Sequence, residues 1–239
     1  MNSIETKPFS LEDQFGTDFY DYLNTSENQI RYSQIGTFLR STFRKEEFFL
    51  LDVACANGNL IPHLPKRCNY TGVDHNLQAI DGCKEKFSSP SKNFICSDIR
   101  GISELPRTYD VIVLSGVFWN TIDATSLEKI SEKDILRSIF PVLKKNGYII
   151  LVTPFAYSDN DQCSLFNQAK WKRDCVYEVL SSTQDIHIVH ENMSLLVGLE
   201  KQILKQKMFP DWFIANPKDF VSPYCGHYLG TWCIICKYT

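Results

Sequence analysis

The sequence predicts an α/β fold in which one mostly parallel, seven-stranded sheet carries helices on both faces. Three observations predict it. From Phe48 onward, short apolar runs alternate with amphipathic helical segments, the pattern of a parallel sheet covered on both sides. A tight turn of small residues, from Ala54 to Gly58, follows the first run, and an acidic residue, Asp74, ends the second.

The N-terminal part of the chain, residues 1–45, is predicted to be a helical cap. Ser26 and Gln29 have the spacing of a capping box, which marks the start of a helix. Apolar residues then recur at helical intervals: Tyr32, Ile35, Phe38, Leu39 and Phe43. We expect residues 46–239 to form the main domain, and the cap and this domain to be one folded unit.

The main domain is predicted to contain seven strands, of which the last runs antiparallel to the others. Each is a short apolar run bounded by turn residues or by a helical pattern. The predicted strands are Phe48–Val53, Tyr70–Asp74, Asn93–Cys96, Tyr109–Ser115, Tyr148–Thr153, Asp185–His190 and Thr231–Tyr238.

Helices are predicted between these strands. One follows the second strand, with Leu77, Ile80 and Phe87 on one face. Another begins at a capping box formed by Ser131 and Asp134. Its buried stripe is Ile135, Ile139, Val142 and Leu143, and Asn146–Gly147 is expected to end it.

The C-terminal third is less regular. We expect a helix between Gln162 and Leu180 and a second helical stretch from Leu195 to Met208. Phe209 to Tyr228 carries three prolines and several aromatic residues, which indicates a long loop. The region near 195–228 is therefore the predicted substrate-capping loop, because long loops in compact domains are often lids.

The composition favours a soluble protein of a reducing compartment, which we expect to be cytoplasmic. The 239 residues are 44% hydrophobic and 13% aromatic, enough for a sizeable core. The first residues are polar and no apolar run is long enough to span a bilayer, so no membrane partner is expected. Nine cysteines form no disulfide framework. The net charge of −3 and the pI near 6.0 give no general attraction to nucleic acid.

The turn after the first strand is the strongest candidate for a ligand site. A dinucleotide site requires glycines in G-x-G-x-x-G spacing, and those positions hold Ala54, Ala56 and Asn59. Ala56 would obstruct the contact with a pyrophosphate. The spacing acid-x-G-x-G-x-G instead selects Asp52, Ala54, Ala56 and Gly58, so the turn retains the acid and one glycine of that pattern.

This turn resembles motif I of the class I S-adenosylmethionine-dependent methyltransferases, a Rossmann-like superfamily, with alanine at the first two glycine positions. Further features follow in order: Asp74 in Thr-Gly-Val-Asp-His-Asn, Ser97-Asp98-Ile99 after the third strand, and the Tyr109–Ser115 strand with Asp110 at its start. Leu143–Tyr148 stands where the family has leucine-x-proline-glycine-glycine. Here lysine replaces the proline and asparagine the first glycine. The resemblance covers roughly Phe48 to Thr153.

The resemblance implies S-adenosylmethionine as the cofactor, bound at the carboxyl ends of the strands. Asp52 opens the motif. Ala54, Asn57 and Gly58 would line the methionine part through backbone groups. Asp74 would hold the ribose hydroxyls.

It also implies contacts for the rest of the cofactor. His75 or Asn76 would lie beside the adenine, and Asp98 and Ile99 would recognise it. Ser115 and Val117 would close the site under the methyl donor. The cofactor's carboxylate would be clamped by Arg31, or by Tyr20 and Tyr22. Packing within the cap helix is an equally good explanation for the two tyrosines.

The substrate is expected to face the residues after the fourth strand. Gly116, Phe118, Trp119 and Asn120 follow that strand. The other wall would be the aromatic capping loop, with Phe209, Trp212, Phe213, Tyr224 and Tyr228. His227 is the candidate for a general base, although a surface histidine is the more ordinary explanation.

No metal is expected. Cys233 and Cys236 form C-x-x-C, but they lie inside a strand pattern with no second pair of ligands nearby. A thioredoxin-like role is not favoured either, because that motif belongs at the start of a helix.

The resemblance implies transfer of a methyl group to an oxygen or nitrogen of a small metabolite or natural product. Enzymes that methylate exocyclic amino nitrogens of bases or the amide nitrogen of glutamine typically have an Asp/Asn-Pro-Pro-aromatic motif after the fourth strand. Leu114–Phe118 contains no proline, so these substrates are not favoured. A methyltransferase acting on a peptide or RNA, and a cofactor-binding protein without catalysis, remain as alternatives. A nicotinamide-dependent oxidoreductase is a distant one. The oligomeric state is left open.

Overall fold

The computed structural model of the chain describes residues 26–117, 130–158, 177–178, 185–197, 202–207 and 227–239. The helices with described bounds are α1 (Ser26–Thr42), α2 (Leu77–Phe87) and α3 (Glu132–Ile139). The strands are β1 (Phe48–Val53), β2 (Cys68–Asp74), β3 (Lys92–Cys96), β4 (Tyr109–Ser115), β5 (Leu143–Ser158), β6 (Ile186–Val197), β7 (Gln202–Lys207) and β8 (His227–Tyr238). Short 3-10 helices cover Ile61–His63, Ile99–Glu104 and Phe140–Val142.

The described strands form one sheet in the order β3-β2-β1-β4-β5-β8-β6-β7. β1 to β5 pair in parallel. β8 lies between β5 and β6 and runs antiparallel to both, and β7 pairs antiparallel with β6. The carboxyl ends of β1 to β5 therefore meet at one edge, which is where ligands bind in open sheets of this kind.

The sheet is buried on both faces. In β4, Val111 and Val113 pack into the core that contains α1 and α2, whereas Ile112 and Leu114 pack into the core that contains α3. All four side chains are completely shielded from solvent. This two-sided burial explains why the strand is a continuous apolar run and shows no alternation of polar residues.

Asp110 ties three strands together at the opposite, amino-terminal edge. Its Oδ2 accepts the backbone N–H of Phe49 at 2.8 Å. Both of its carboxylate oxygens lie 2.9 Å from Nζ of Lys144, at the start of β5. The acid that opens β4 is thus a structural residue, remote from the carboxyl edge.

The predicted architecture is confirmed: a mostly parallel sheet, helices on both faces and an antiparallel last strand. All seven predicted strands are present, and β7 adds an eighth. The helix predicted from Leu195 to Met208 is wrong, since β6 runs on to Val197 and Gln202–Lys207 forms β7. Backbone pairing with β8, for example of Leu196 with Leu229, outweighs the local helical pattern.

A second correction concerns α3. Its start is as predicted, because the Ser131 hydroxyl accepts the N–H of Asp134 at 3.1 Å. The α-helix ends at Ile139, however, before the Val142 and Leu143 that were assigned to it. Pro141 follows two residues later, and a proline lacks the N–H that would continue the helix.

Other predictions fall mostly outside the described residues. Of the helix predicted between Gln162 and Leu180, only Tyr177 and Glu178 are described, and both are helical. The predicted loop is described only at its C-terminal end, where His227 and Tyr228 belong to β8. The division into 1–45 and 46–239 stays a prediction. Among the described helices, none combines the length and the apolar character that crossing a membrane requires.

α1 packs closely against the turn that follows β1. A Cβ at Gly36 would collide with the backbone carbonyl of His63. The same carbonyl accepts a hydrogen bond from Nη1 of Arg40 at 2.8 Å, and the His63 ring is 2.8 Å from Oε1 of Gln29. The helix is thereby held against the carboxyl edge of the sheet by its backbone as well as by its side chains.

Gly36→Ala is therefore expected to destabilise the protein, although alanine favours a helix. The added methyl group must push α1 away from His63, and overpacking of this kind costs about 1–3 kcal/mol. Gly82→Ala is the matched control, because nothing lies within 4 Å of a Cβ at that position in α2. It should raise the free energy of unfolding by up to about 1 kcal/mol. Urea denaturation measures both free energies of unfolding. Equal effects of the two substitutions would show that α1 and His63 accommodate the added methyl group at Gly36.

Candidate active site

The turn after β1 has the backbone conformation that its spacing pattern requires, even where alanine replaces glycine. Ala54, Ala56 and Gly58 have φ values of +58°, +45° and +71°. The left-handed conformation costs an L-residue about 1–2 kcal/mol. At both alanines only a methyl group projects from the turn, so a ligand can still approach the main chain.

Gly58 allows the turn to close on α2. A Cβ there would lie 2.9 Å from side-chain atoms of both Ile61 and Phe87. The Cys83 thiol is close as well, and it donates to the carbonyl of Ala56 at 3.3 Å. A larger residue at this position would have to shift these side chains and adopt the same left-handed conformation.

Asp74, at the end of β2, holds the turn in place. Its Oδ2 accepts the N–H of Ala56 and its Oδ1 the N–H of Asn76, both at 2.9 Å. Asn76 in turn caps α2 by accepting the N–H groups of Gln78 and Ala79. An ionised carboxylate has about four acceptor sites, so two remain available for further donors.

Asp52 is buried one strand away. Its Oδ2 accepts the hydroxyl of Tyr70 at 2.8 Å. Gly72 makes room for this contact, since a Cβ there would lie 3.0 Å from the Tyr70 hydroxyl. Burial raises the pKa of Asp52 to about 7; the bond from Tyr70 opposes that rise, nearby Asp74 adds to it and Arg31 lowers it.

Arg31 brings a positive charge from α1 to the same edge. The residue is only 4% exposed. Its Nη2 donates to the hydroxyl of Tyr32 at 2.8 Å, and its Nη1 lies 3.9 Å from where a Cβ of Gly116 would be. Nε is buried without a hydrogen-bond partner among the described residues. A buried guanidinium with unused donor capacity suits an anionic ligand group.

The end of β4 offers a third wall. Ser115 ends the strand, and its hydroxyl is buried with no partner in the described part of the chain. Gly116 has a φ of +81°, and its N–H donates to the carbonyl of Val152 at 2.8 Å. Val117 is buried in the core on the α3 side.

Asp98 and Ile99 follow β3. The Asp98 Oδ1 caps the 3-10 helix by accepting the N–H of Arg100, and it also pairs with Nε of the same residue at 3.0 Å. Ile99 is partly buried. His75 is exposed beside Asp74, with Nδ1 3.5 Å from Oδ1. The ends of β2 and β3 thus present an acid, an imidazole and an apolar side chain.

The structure brings most of the predicted cofactor residues to one edge of the sheet. The carboxyl ends of β1, β2, β3 and β4, with Arg31 from α1, carry Asp52, Ala54, Asn57, Gly58, Asp74, His75, Asn76, Asp98, Ile99, Ser115 and Val117. Tyr20, Tyr22, Phe118, Trp119, Asn120, Phe209, Trp212, Phe213 and Tyr224 lie outside the described residues.

His227 lies far along the sheet. Ser115 is level with Val152, which pairs with Cys233, whereas His227 pairs with Ser158 six residues further on. At about 3.3 Å per residue its backbone is roughly 20 Å from the level of Ser115. This register does not favour a base acting beside Gly116, and the role of His227 stays a prediction.

Three contributors were missed from the sequence. Tyr70 lies within β2, where a tyrosine is expected to pack as a core residue. Tyr32 has the helical spacing of a core residue. Asn59 follows the turn; it is 7% exposed and its Nδ2 has no partner among the described residues. Small-residue spacing identifies a turn, but it does not show which distant side chains fold back onto it.

Cys233 and Cys236 do not form a paired site. Cys233 belongs to the core on the α1 side of the sheet and Cys236 to the core on the α3 side. Successive strand residues alternate between faces, so positions three apart point in opposite directions.

The residues that form this edge match a known protein domain. A family model described as a methyltransferase domain matches residues 50–147, which include the turn and the ends of β1 to β4. A search of curated proteins found no match.

Solved structures share the fold. The plantazolicin methyltransferase BamL, in complex with a desmethyl analog and S-adenosylhomocysteine, is 18% identical with a TM-score of 0.56, over 90% of this chain and 88% of that one. The N-methyltransferase NodS from Bradyrhizobium japonicum, with the same bound product, is 13% identical with a TM-score of 0.57, over 93% and 92%. A putative RNA methyltransferase from Pyrococcus horikoshii is 10% identical with a TM-score of 0.52, over 88% and 85%.

Residues 50–147 thus match a methyltransferase domain, and the similarity to the solved structures shows that the chain shares their fold. The cofactor that the sequence predicts for this edge is S-adenosylmethionine. The two remaining acceptor sites of Asp74 suit the hydroxyls of a ribose, so the residues present fit that cofactor. Its carboxylate would complement the unused donor of Arg31.

The raised pKa of Asp52 predicts a pH-dependent stability. The ordinary pKa is 3.8 and the folded value about 7, so between these values the folded chain holds a proton that the unfolded chain releases. The stability from this group is fully present below the ordinary pKa and is lost as the pH rises through about 7. Asp52→Asn stays neutral and still accepts from Tyr70. From about pH 5 to about pH 8 it should lose roughly 2–3 kcal/mol less stability than the wild type.

Urea denaturation at the two pH values measures this difference. Asp81→Asn is the control, since Asp81 is an exposed acid on α2 and should leave the wild-type slope unchanged. If the stability of Asp52→Asn and of the wild type changes equally with pH, the raised pKa of Asp52 is contradicted.

Proposed function

We propose that this protein is a methyltransferase that uses S-adenosylmethionine and transfers the methyl group to an oxygen or nitrogen of a small metabolite or natural product. The observation that carries this proposal is the end of β4. Ser115, Gly116 and Val117 stand where methyltransferases that act on exocyclic amino nitrogens or amide nitrogens have the sequence Asp/Asn-Pro-Pro. The chain also has a net charge of −3, which supports an acceptor other than nucleic acid.

The similar structures support the same class of acceptor. BamL was solved with a desmethyl analog of plantazolicin, and NodS is described as an N-methyltransferase. The plantazolicin complexes also keep a peptide-like acceptor under consideration, and the acceptor experiment below includes one. Free thiols at six described cysteines support a place in the reducing cytoplasm.

For the cofactor we propose the following arrangement. The methionine part lies along the turn from Ala54 to Gly58, next to the partly buried Asn57. The ribose hydroxyls donate to the two remaining acceptor sites of Asp74. The geometry supporting this is the pair of backbone donors, Ala56 and Asn76, which fixes the orientation of the carboxylate.

The adenine would lie beyond Asp74, between His75 or Asn76 and the residues after β3. The second carboxylate oxygen of Asp98 would accept its amino group, and Ile99 would cover one face of the ring. Arg31 would bind the carboxylate of the methionine part, supported by its burial and its unused Nε.

The bound cofactor supplies a methyl group already activated by its sulfonium. The protein therefore has to align the acceptor with that methyl group and exclude water, and such alignment contributes about 7–11 kcal/mol. Ser115 and Gly116 would form the surface next to the methyl group. With no side chain, Gly116 leaves space for the acceptor to approach. Trp119, Asn120, Trp212 and Tyr224 stay predicted walls of the acceptor pocket.

Asp74→Ala should weaken binding of S-adenosylhomocysteine by roughly 1–3 kcal/mol, because charged hydrogen bonds to the ribose are lost. Asp81→Ala removes an exposed carboxylate from α2 and should bind like the wild type. Isothermal titration calorimetry measures both. An unchanged affinity in Asp74→Ala would show that the cofactor does not contact the end of β2.

The acceptor is tested by incubating the protein with S-adenosylmethionine and candidate acceptors, followed by mass spectrometry. Hydroxylated and amine-bearing small molecules, a short azole-containing peptide and a structured RNA should be compared. We expect a gain of one methyl group on a small molecule. Modification of the peptide or the RNA alone would overturn the proposed class of acceptor.

A further inference from the structure

α1 presents Arg31 to the carboxyl edge of the sheet through a contact with its own neighbour. We propose that Tyr32 is a positioning residue, which orients the Arg31 guanidinium for the carboxylate of the methionine part of the cofactor. This inference rests on the proposed contact between Arg31 and that carboxylate.

The contact between Arg31 and Tyr32 has two components. The Arg31 Nη2 donates to the Tyr32 hydroxyl at 2.8 Å, and the guanidinium carbon lies 4.7 Å from the centroid of the Tyr32 ring. The hydroxyl fixes one nitrogen and the ring face fixes the plane of the group. Nη1 is left on the side of Gly116, and Nε is left without a described partner.

Tyr32 is itself held in place by His63, in the 3-10 helix Ile61–His63. Its ring stacks on His63, with centroids 6.2 Å apart and planes inclined by 27°. His63 is in turn fixed by Gln29 through its ring and by Arg40 through its carbonyl. Tyr32 is 7% exposed, so its ring cannot rotate freely.

This arrangement matters because an arginine side chain is otherwise flexible. A free arginine loses up to about 2 kcal/mol of rotamer entropy when it is fixed in one geometry. Here that ordering occurs when α1 packs on the sheet, before any ligand binds. Nη1 already lies on the side of Gly116, and a carboxylate there would meet a preoriented fork.

The experiment compares two ligands that differ only in the amino-acid part. S-adenosylhomocysteine carries the carboxylate, whereas 5′-deoxy-5′-methylthioadenosine has the same nucleoside and thioether without it. Tyr32→Phe keeps the ring and removes only the hydroxyl. We expect its Kd for S-adenosylhomocysteine to rise about five- to tenfold, because Arg31 must then be ordered when the ligand binds, while its Kd for methylthioadenosine stays unchanged.

Two further variants complete the design. Arg31→Gln removes the guanidinium and should show a larger loss with the same ligand selectivity. Tyr148→Phe is the matched control, because Tyr148 lies on the same face of the sheet and packs against Phe38 and Phe43 near the other end of the strand. It should bind both ligands like the wild type. Thermal melts establish that all three variants are folded.

The outcomes separate two failures. If Arg31→Gln lowers both affinities equally or neither, the proposed contact of Arg31 with the carboxylate is wrong, and the inference falls with it. If Arg31→Gln is selective for S-adenosylhomocysteine but Tyr32→Phe is not, the contact stands and the positioning role of Tyr32 is overturned. A selective loss in both variants supports the inference.

Discussion

The carboxylate of Asp74 is the interaction on which the cofactor edge depends. It accepts one backbone N–H from the turn after β1 and one from the start of α2, so a single side chain fixes the relative position of both elements. Such charge-assisted bonds are about twice as strong as neutral ones. They offset part of the strain of the left-handed alanines, Ala54 and Ala56. The same group that would bind the ribose therefore also builds the turn along which the methionine part would lie.

Two buried ionisable groups at this edge, Asp52 and Arg31, are unfavourable for the stability of the free protein. Asp52 is buried beside a second acid and its pKa is raised, so its charged form is disfavoured in the free protein. Arg31 is buried with an unused donor. Each arrangement is unfavourable in the absence of ligand, and each would be relieved by a molecule that carries cationic and anionic groups in the right order. S-adenosylmethionine is such a molecule.

Much of the fold followed from local patterns. The two-sided burial of β4 appears in the sequence as an uninterrupted apolar run, and the capping box at Ser131 marked a helix start correctly. The predictions were wrong where a residue distant in the sequence determines the secondary structure. Leu195 to Met208 has helical periodicity, but Leu195 and Leu196 pair with β8, and Gln202–Lys207 pairs with β6 as the strand β7. Val142 and Leu143 were assigned to α3 on periodicity alone, although Pro141 prevents the helix from reaching them.

The sequence by itself determined the class of site: an acid, small residues in fixed spacing and acids after the next two strands suffice, because a parallel sheet brings all strand ends to one edge. Only the tertiary structure decided how that edge is held together. Tyr70 reaches Asp52 across the space left by Gly72, and Arg31, on a helix that lies before the first strand, reaches the side of Gly116. Both contacts join residues that are distant in the sequence, and only the packing of α1 and β2 brings them together.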